Sequence, residues 1–420
     1  MRTHPLEALR ARAADFRAVF AIPAFATYQI GNVVMTTGFW MQRIAVGWVT
    51  WQLTESEAWL GIVASAELFP SILTAVWGGA MADRHPAPRI MYWGQIASAL
   101  VALGLALAFF ADALTPWVIV ALMVGLGAVS GMLLPARLAM ARYLAPPELL
   151  PSALAVNSTG FNLSRFVGPA LAAGLLVLGS AGLVFAIAAL GFLALAVALY
   201  SIRDIPPQQT PLPASPENML GIVRGLRATP LILGVLVLQF AQGILIRPAS
   251  ELFPAYAEVA FKTGAIGLGL LNAALGVGAI LGALAFSKSR DTGQALWQIV
   301  ITGAVFALSL LVFSVNGNFA FALVILLVHG AAMSASNIAA LAYVQLEAPQ
   351  DRLGRILALY TIIFRVGPAA GAFVFGLTAE VSSLTLTGVI FGLAGLVATL
   401  GIGAKLLKER TDYAGRPECF

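Results

Sequence analysis

Cysteine and histidine are both scarce in this sequence. Its 420 residues include one cysteine, Cys419, and three histidines. A single cysteine excludes an intrachain disulfide and a cysteine-built metal site, and so few histidines make a histidine-built centre unexpected. We therefore expect no metal and no bound cofactor.

Charge is the second scarce property. Asp, Glu, Lys and Arg make up 10% of the residues, whereas apolar residues make up 60%, and the mean hydropathy is +0.90. Soluble domains carry about 25% charged residues. The composition therefore predicts an all-α polytopic membrane protein in contact with the lipid bilayer. With no soluble domain of useful size and no nucleotide-binding loop, we expect neither an enzyme nor a nucleic-acid partner.

Twelve apolar runs are long enough to cross a bilayer, which takes about 20 residues of helix. The chain thus predicts twelve transmembrane helices. The predicted spans are 23–52, 58–82, 89–111, 116–136, 149–178, 181–201, 230–257, 264–287, 294–315, 319–343, 354–379 and 383–405.

The basic residues predict the orientation. With the N-terminus inside, Lys262 lies outside and four arginines lie within spans, while all the other basic residues of the 24 fall in inner segments. Cytoplasmic loops carry such an excess of Lys and Arg. We expect a multi-pass protein of a bacterial-type inner membrane with both termini cytoplasmic, and we expect a monomer.

A short phrase occurs twice, 200 positions apart. Arg165-Phe-Val-Gly-Pro169 lies in one apolar run, and Arg365-Val-Gly-Pro368 lies in another. This repeat predicts two pseudo-symmetric six-helix bundles around a central pathway. The expected divisions are a first bundle at 1–205, a proline-rich cytoplasmic linker at 206–229, a second bundle at 230–408 and a tail at 409–420.

Four arginines fall within the predicted spans: Arg43, Arg165, Arg247 and Arg365. A charge at membrane depth costs at least about 2.5 to 3.5 kcal/mol unless it is paired or hydrated. One interpretation is that these guanidinium groups bind an anionic or polar part of a small-molecule substrate; the other is that they bond only backbone carbonyls beside the Gly-Pro pairs. Nearby polar and aromatic residues would complete a binding site: Gln42, Asn157, Gln242, Trp40 and Phe161.

A coupling proton would need a group that changes charge, and arginine does not titrate in the relevant range. The candidates are Glu67, Glu251 and His329, although a hydrogen-bonded packing role is the preferred interpretation of His329. Glu67 lies at the depth of Arg43, so we expect these two to pair. Glu251 follows Arg247 by four residues and would share its helical face, with Pro248 bending the helix between them.

The loop after the second span resembles a signature of the major facilitator superfamily. Gly79-Ala-Met-Ala-Asp83-Arg84, with Arg89 following, is similar to its Gly-x-x-x-Asp-Arg motif. Phe39–Trp48 and Leu134-Pro-Ala-Arg137 resemble the branch that includes the enterobactin exporter and macrolide efflux proteins. The resemblance implies the superfamily fold, alternating access, and a cytoplasmic gate. It assigns the gate to Gly79, Asp83, Arg84, Arg89 and Arg137.

The resemblance also implies a function: proton-driven efflux of a siderophore-like or drug-like molecule. Two alternatives remain open from the sequence. One is a transporter of lysophospholipids or other amphiphiles, and the other is a receptor or assembly factor that transports nothing.

Overall fold

The computed structural model describes residues 16–208, 229–286, 291–349 and 353–414. Helices make up most of these ranges, and none of the residues in them forms a β-strand. Most of the predicted linker, the first residues of the predicted N-terminal segment and the end of the tail with Cys419 lie outside the described ranges.

Twelve long helices follow one another in the described ranges. They are α1 (Pro23–Thr54), α2 (Glu57–Ala82), α3 (Ala87–Phe110), α4 (Pro116–Leu144), α5 (Leu150–Val177), α6 (Ala181–Ser201), α7 (Pro230–Leu245), α8 (Gly264–Ala285), α9 (Thr292–Val315), α10 (Phe319–Glu347), α11 (Leu353–Val381) and α12 (Leu384–Ala414). A single 3-10 turn, Pro147–Leu149, precedes α5.

Eleven segments among the described residues are long and apolar enough to cross a membrane, and α7 counts among them together with its continuation to Ala260. The exception is α1, whose 32 residues include several polar side chains, among them Gln29, Asn32, Gln42 and Arg43. The predicted span 23–52 is therefore a long helix that is less apolar than these eleven segments.

The chain divides into two compact units. Unit 1 lies within Met1–Val49 and Phe69–Ser215, and unit 2 lies within Thr50–Leu68 and Pro216–Phe420. The short segment from the end of α1 to the middle of α2 thus packs with unit 2. Its contacts are with α11: the Ser65 hydroxyl donates to the Ala369 carbonyl oxygen at 2.9 Å.

Small residues set the helix spacing inside each unit. In unit 1, a methyl group added at Gly131 of α4 would lie 2.2 Å from the Ser71 carbonyl oxygen of α2. In unit 2, one added at Gly278 of α8 would lie 2.1 Å from the Leu327 carbonyl oxygen of α10. Helices approach this closely within membranes because glycine has no side chain to separate their backbones.

The second half of the seventh span is not a regular α-helix. After α7 ends at Leu245, the chain continues as a 3-10 segment, Arg247–Leu252, then a single α-turn, Phe253–Ala255, and a π-turn, Tyr256–Ala260. Proline at 248 and 254 removes two backbone donors, and the ring of Tyr256 packs on Phe313 of α9 with centroids 4.9 Å apart. Pro248 thus lies where the helix changes type, and the predicted bend itself stays a prediction.

Candidate functional site

A ladder of polar side chains joins α1 to α5 in unit 1. The Asn32 amide donates to the Asn157 side-chain oxygen at 3.0 Å. One helical turn or more further on, the Thr37 hydroxyl donates to the Ser164 hydroxyl oxygen at 3.1 Å. Because these groups satisfy one another at membrane depth, they fix the register of the two helices.

Arg165 of α5 lies beside an aromatic pair in the same unit. Its guanidinium carbon is 5.4 Å from the centre of the Trp40 ring, and Trp40 meets Phe161 edge to face at 6.1 Å between centroids. A guanidinium held over an indole gains about 0.5 to 2 kcal/mol, more where water is excluded. The structure thus brings together Trp40, Phe161 and Arg165, three of the predicted site residues.

Gln42, two residues after Trp40 on α1, is 1% exposed. Neither its amide nitrogen nor its amide oxygen has a hydrogen-bond partner among the described residues, and the same holds for the Trp40 indole nitrogen. Buried polar atoms without partners are costly, at about 1 to 3 kcal/mol each. They are the kind of group that a polar substrate would satisfy.

Arg247 has a comparable setting in unit 2. Its guanidinium donates to the Asn337 side-chain oxygen of α10 and lies 3.8 Å from the centre of the Phe364 ring of α11. The Tyr360 hydroxyl donates to the Asn337 carbonyl oxygen at 3.2 Å, and its ring stacks on Phe364 at 5.9 Å. Two helices, α10 and α11, therefore contribute an amide and an aromatic face to the surroundings of this guanidinium.

A second polar chain in unit 2 runs between α7 and α10. The Gln239 amide donates to the Ser336 hydroxyl at 3.2 Å, and that hydroxyl donates to the Gln242 side-chain oxygen at 3.1 Å. Gln242 is 1% exposed, and its amide nitrogen has no partner among the described residues. The side-chain oxygen of Gln242 is thus held by Ser336, while its amide nitrogen can still donate hydrogen bonds.

The two arginine settings are related by the predicted repeat, in which α1 corresponds to α7 and α5 to α11. In unit 1 the guanidinium comes from α5 and the ring from α1. In unit 2 the guanidinium comes from the 3-10 segment that continues α7, and the ring comes from α11. Each unit therefore places an arginine from one span against an aromatic ring from another. The two units use corresponding spans, but the span that supplies the arginine in one unit corresponds to the span that supplies the ring in the other.

Arg43 and Arg365 are both partly buried, in α1 and α11. Glu67 is 9% exposed and belongs to the α2 segment that packs with unit 2, whereas Arg43 belongs to unit 1. The expected pairing of Arg43 with Glu67 stays a prediction.

Glu251 lies in the 3-10 segment that begins at Arg247. Residues three apart are eclipsed in a 3-10 helix, and here the Ser250 hydroxyl donates to the Arg247 carbonyl oxygen at 3.0 Å. The α-helical spacing on which the Arg247–Glu251 prediction was based is therefore wrong at this point. The pairing of these two side chains stays a prediction.

His329 is 5% exposed and lies between α9 and α10. Its Nδ1 atom is 2.7 Å from the Ser309 hydroxyl, and its ring centroid is 4.4 Å from that of Phe306. This environment is that of a hydrogen-bonded packing residue. Within the described ranges, no three His, Cys, Asp or Glu side chains form a group that would hold a metal ion.

The predicted gate residues lie at the end of α2 and beyond it. Gly79 accepts the backbone hydrogen bond of Asp83 at 3.1 Å, and Asp83 and Arg84 are exposed. Arg89 is in the first turn of α3 and lies 3.8 Å from Asp204, with both side chains largely exposed. Arg137 is partly buried on α4. The gating role of all five stays a prediction.

Reasoning from the sequence missed Asn32, Tyr360 and Phe364. Tyr360 and Phe364, which precede Arg365, are four residues apart and therefore lie on one face of α11. This spacing is visible in the sequence, but it is also typical of lipid-facing packing. Asn32 carried no signal beyond being polar in an apolar run.

A family model described as transmembrane secretion effector, of the MFS class, matches residues 15–414. The enterobactin exporter EntS of Citrobacter koseri is 26% identical over 415 residues, covering 96% of this chain and 93% of that protein. EntS of Shigella flexneri is also 26% identical, covering 90% of this chain and 85% of that protein.

Solved transporter structures share the fold. A bacterial homolog of the human lysosomal transporter Spinster, in an inward-facing and unoccupied conformation, superposes with a TM-score of 0.72 at 14% identity, covering 94% of this chain and 99% of that one. The POT family transporter PepTSo superposes with a TM-score of 0.72 at 13% identity, covering 93% and 99%. The predicted fold class is confirmed.

Proposed function

The chain belongs to the transmembrane secretion effector family of the major facilitator superfamily, and from this we propose that it exports a small organic molecule with an anionic or polar portion. Members of this superfamily are transporters and not enzymes, and the chain is a multi-pass inner-membrane transporter. Because EntS proteins, named as enterobactin exporters, align over most of the chain, we take a siderophore-like compound as the first substrate class.

The observation that carries this proposal is the arginine held against an aromatic ring in each unit, Arg165 on Trp40 and Arg247 on Phe364. A planar guanidinium offers paired donors to carboxylate or phenolate oxygens, and the adjoining rings offer flat apolar contact to an aromatic substrate. We assign substrate contact to these residues together with Arg43, Arg365, Gln42, Asn157, Phe161 and Gln242.

The driving force we propose is the proton gradient, with exchange by alternating access. Glu67 and Glu251 are the preferred proton carriers because a carboxyl group changes charge on protonation, whereas the four arginines hold theirs. His329 ranks below them, since its imidazole is engaged with Ser309. We also propose that both termini are cytoplasmic and that the protein works as a monomer.

Flux through proteoliposomes tests this function. With enterobactin as the probe, we expect uptake into vesicles in which the cytoplasmic face of the protein points outward. This uptake should rise when the lumen is made acidic and should collapse when an ionophore removes the pH gradient. Glu67→Gln or Glu251→Gln should abolish the gradient-driven part while leaving binding measurable. Movement of lysophospholipid without enterobactin flux would favour the amphiphile alternative, and the absence of any stoichiometric flux would overturn the transporter proposal.

A further inference from the structure

Unit 1 contains a groove that includes none of the residues proposed to contact the transported substrate. It lies where α2 ends beside α3 and α4 and has a volume of about 460 Å³, within the usual range for small-molecule sites. Its walls are apolar: Met81 comes from α2, Trp93 and Ala97 from α3, and Met132 and Leu133 from α4.

Small residues on α3 create this groove. At Gly94 an added methyl group would lie 2.2 Å from a terminal carbon of Leu133, so the helix surface is indented there and Leu133 fills part of the depth. Ala97, one turn on, adds little bulk. Trp93 borders the indentation with its side chain 68% exposed. An indole in this position is typical of the membrane interface.

One end of the groove is basic. Arg89 and His85 line it, and both are exposed. Arg89 is 3.8 Å from Asp204, but the two side chains are 60% and 70% exposed, so this ion pair is weak and its partner is readily exchanged. From Arg89 to Ala97 the helix rises about 12 Å at 1.5 Å per residue. The groove therefore runs from a cationic mouth into apolar depth.

We propose that this groove binds an anionic glycerophospholipid, with its phosphate at Arg89 and an acyl chain along Trp93 and Ala97. The charge of the mouth selects an anionic headgroup, as basic pockets between membrane helices do. The apolar walls exclude a free water-soluble anion, because such a ligand would lose its hydration there without new partners. The site is independent of the transported substrate.

Brominated lipids test the site because bromine quenches an indole that it touches. The protein is reconstituted in phosphatidylcholine with a minor fraction of phosphatidylglycerol, and the bromine label is placed on one lipid or the other. Subtracting the fluorescence of the Trp93→Phe variant from that of the wild type gives the fluorescence of Trp93 alone. We expect phosphatidylglycerol to quench it at about fivefold lower mole fraction than phosphatidylcholine, the factor that one basic residue contributes at an anionic surface.

Two variants separate a site from general surface charge. Arg89→Gln should remove the preference for phosphatidylglycerol. Lys405→Gln is the matched control, because Lys405 is 76% exposed and also lies 3.8 Å from a carboxylate, that of Glu409; it should retain the preference. Native mass spectrometry gives a second readout, in which one phosphatidylglycerol remains bound to the wild type and is lost from Arg89→Gln. Equal quenching by both lipids, a preference that survives Arg89→Gln, or one that also disappears in Lys405→Gln would overturn the proposal.

Discussion

At the scale of the residue, the protein keeps positive charge at membrane depth by placing it against aromatic rings and amides. Arg247 shows this most completely, with Asn337 accepting a hydrogen bond and Phe364 beneath the guanidinium. Such contacts stabilise the charged form without cancelling its charge. We propose that the anionic portion of the substrate binds beside these contacts.

Replacing Asn337 by leucine tests this account of Arg247. The variant removes a hydrogen bond to a charged group in a membrane interior, so we expect a loss of about 1 to 2 kcal/mol in unfolding free energy and a lower thermal midpoint in detergent. Weaker substrate binding should accompany it, because Arg247 loses part of its orientation.

Asn272→Leu is the control for that variant. Asn272 is partly buried, and its amide donates to the Leu268 carbonyl oxygen of its own helix at 2.9 Å, a bond that leucine can replace by packing. Its midpoint should stay near that of the wild type. Equal losses in the two variants would show that Asn337 acts only as a buried amide.

The sequence predicted which arginines lie at membrane depth because a charge stands out in an apolar run. It did not predict which residues the structure places around Arg247. Asn337 and Phe364 are separated from Arg247 by some 90 and 117 positions, and contacts at such separations depend on how the helices pack, for which one sequence holds no direct signal. The α-helical spacing that linked Arg247 to Glu251 was wrong because the chain there is a 3-10 segment.

At the scale of the element, glycine decides how closely α1 and α5 approach. A methyl group added at Gly168 would lie 2.6 Å from Cβ of Trp40 and 2.9 Å from the Thr37 carbonyl oxygen. These atoms belong to or adjoin the backbone, so the helices themselves would have to separate. The same contact positions Arg165, which lies one turn earlier on α5.

Gly168→Ala should therefore destabilise the protein by about 1 to 3 kcal/mol, the usual cost of overpacking, and should weaken substrate binding by displacing Arg165 from Trp40. Gly174→Ala in the same helix is the matched control, since nothing lies within 4 Å of its added methyl group; it should be neutral or slightly stabilising because alanine favours the helix. Thermal unfolding of both variants in detergent measures this. If the two variants unfold at the same temperature, α1 and α5 are not in the contact described.

The positions of the helices were predictable, and several of their ends were not. The twelve apolar runs correspond to α1 to α12 in order. However, α4 continues to Leu144 and α12 to Ala414, past the predicted ends at 136 and 405. Basic residues mark where an apolar run stops, but the residues that follow are strong helix formers, so each helix continues beyond its apolar run.

At the scale of the whole molecule, the two units have a feature in common, whereas the division into two repeated bundles stays a prediction. Each unit holds a membrane-depth arginine against an aromatic ring between corresponding helices. The family match over residues 15–414 makes the chain a transporter, and the doubled arginine setting supports the proposal that its substrate carries an anionic portion.

The most direct measurement of that central claim is the equilibrium binding of enterobactin to the purified protein, compared among the wild type and two variants. We predict that an Arg165→Gln, Arg247→Gln double variant binds at least about tenfold more weakly, since charge-assisted hydrogen bonds contribute about 1.5 to 3 kcal/mol each. Arg203→Gln is the control, because Arg203 lies 3.6 Å over the Tyr200 ring beyond the end of α6, and it should bind as the wild type does. Unchanged affinity in the folded double variant would contradict the claim that these arginines bind the substrate.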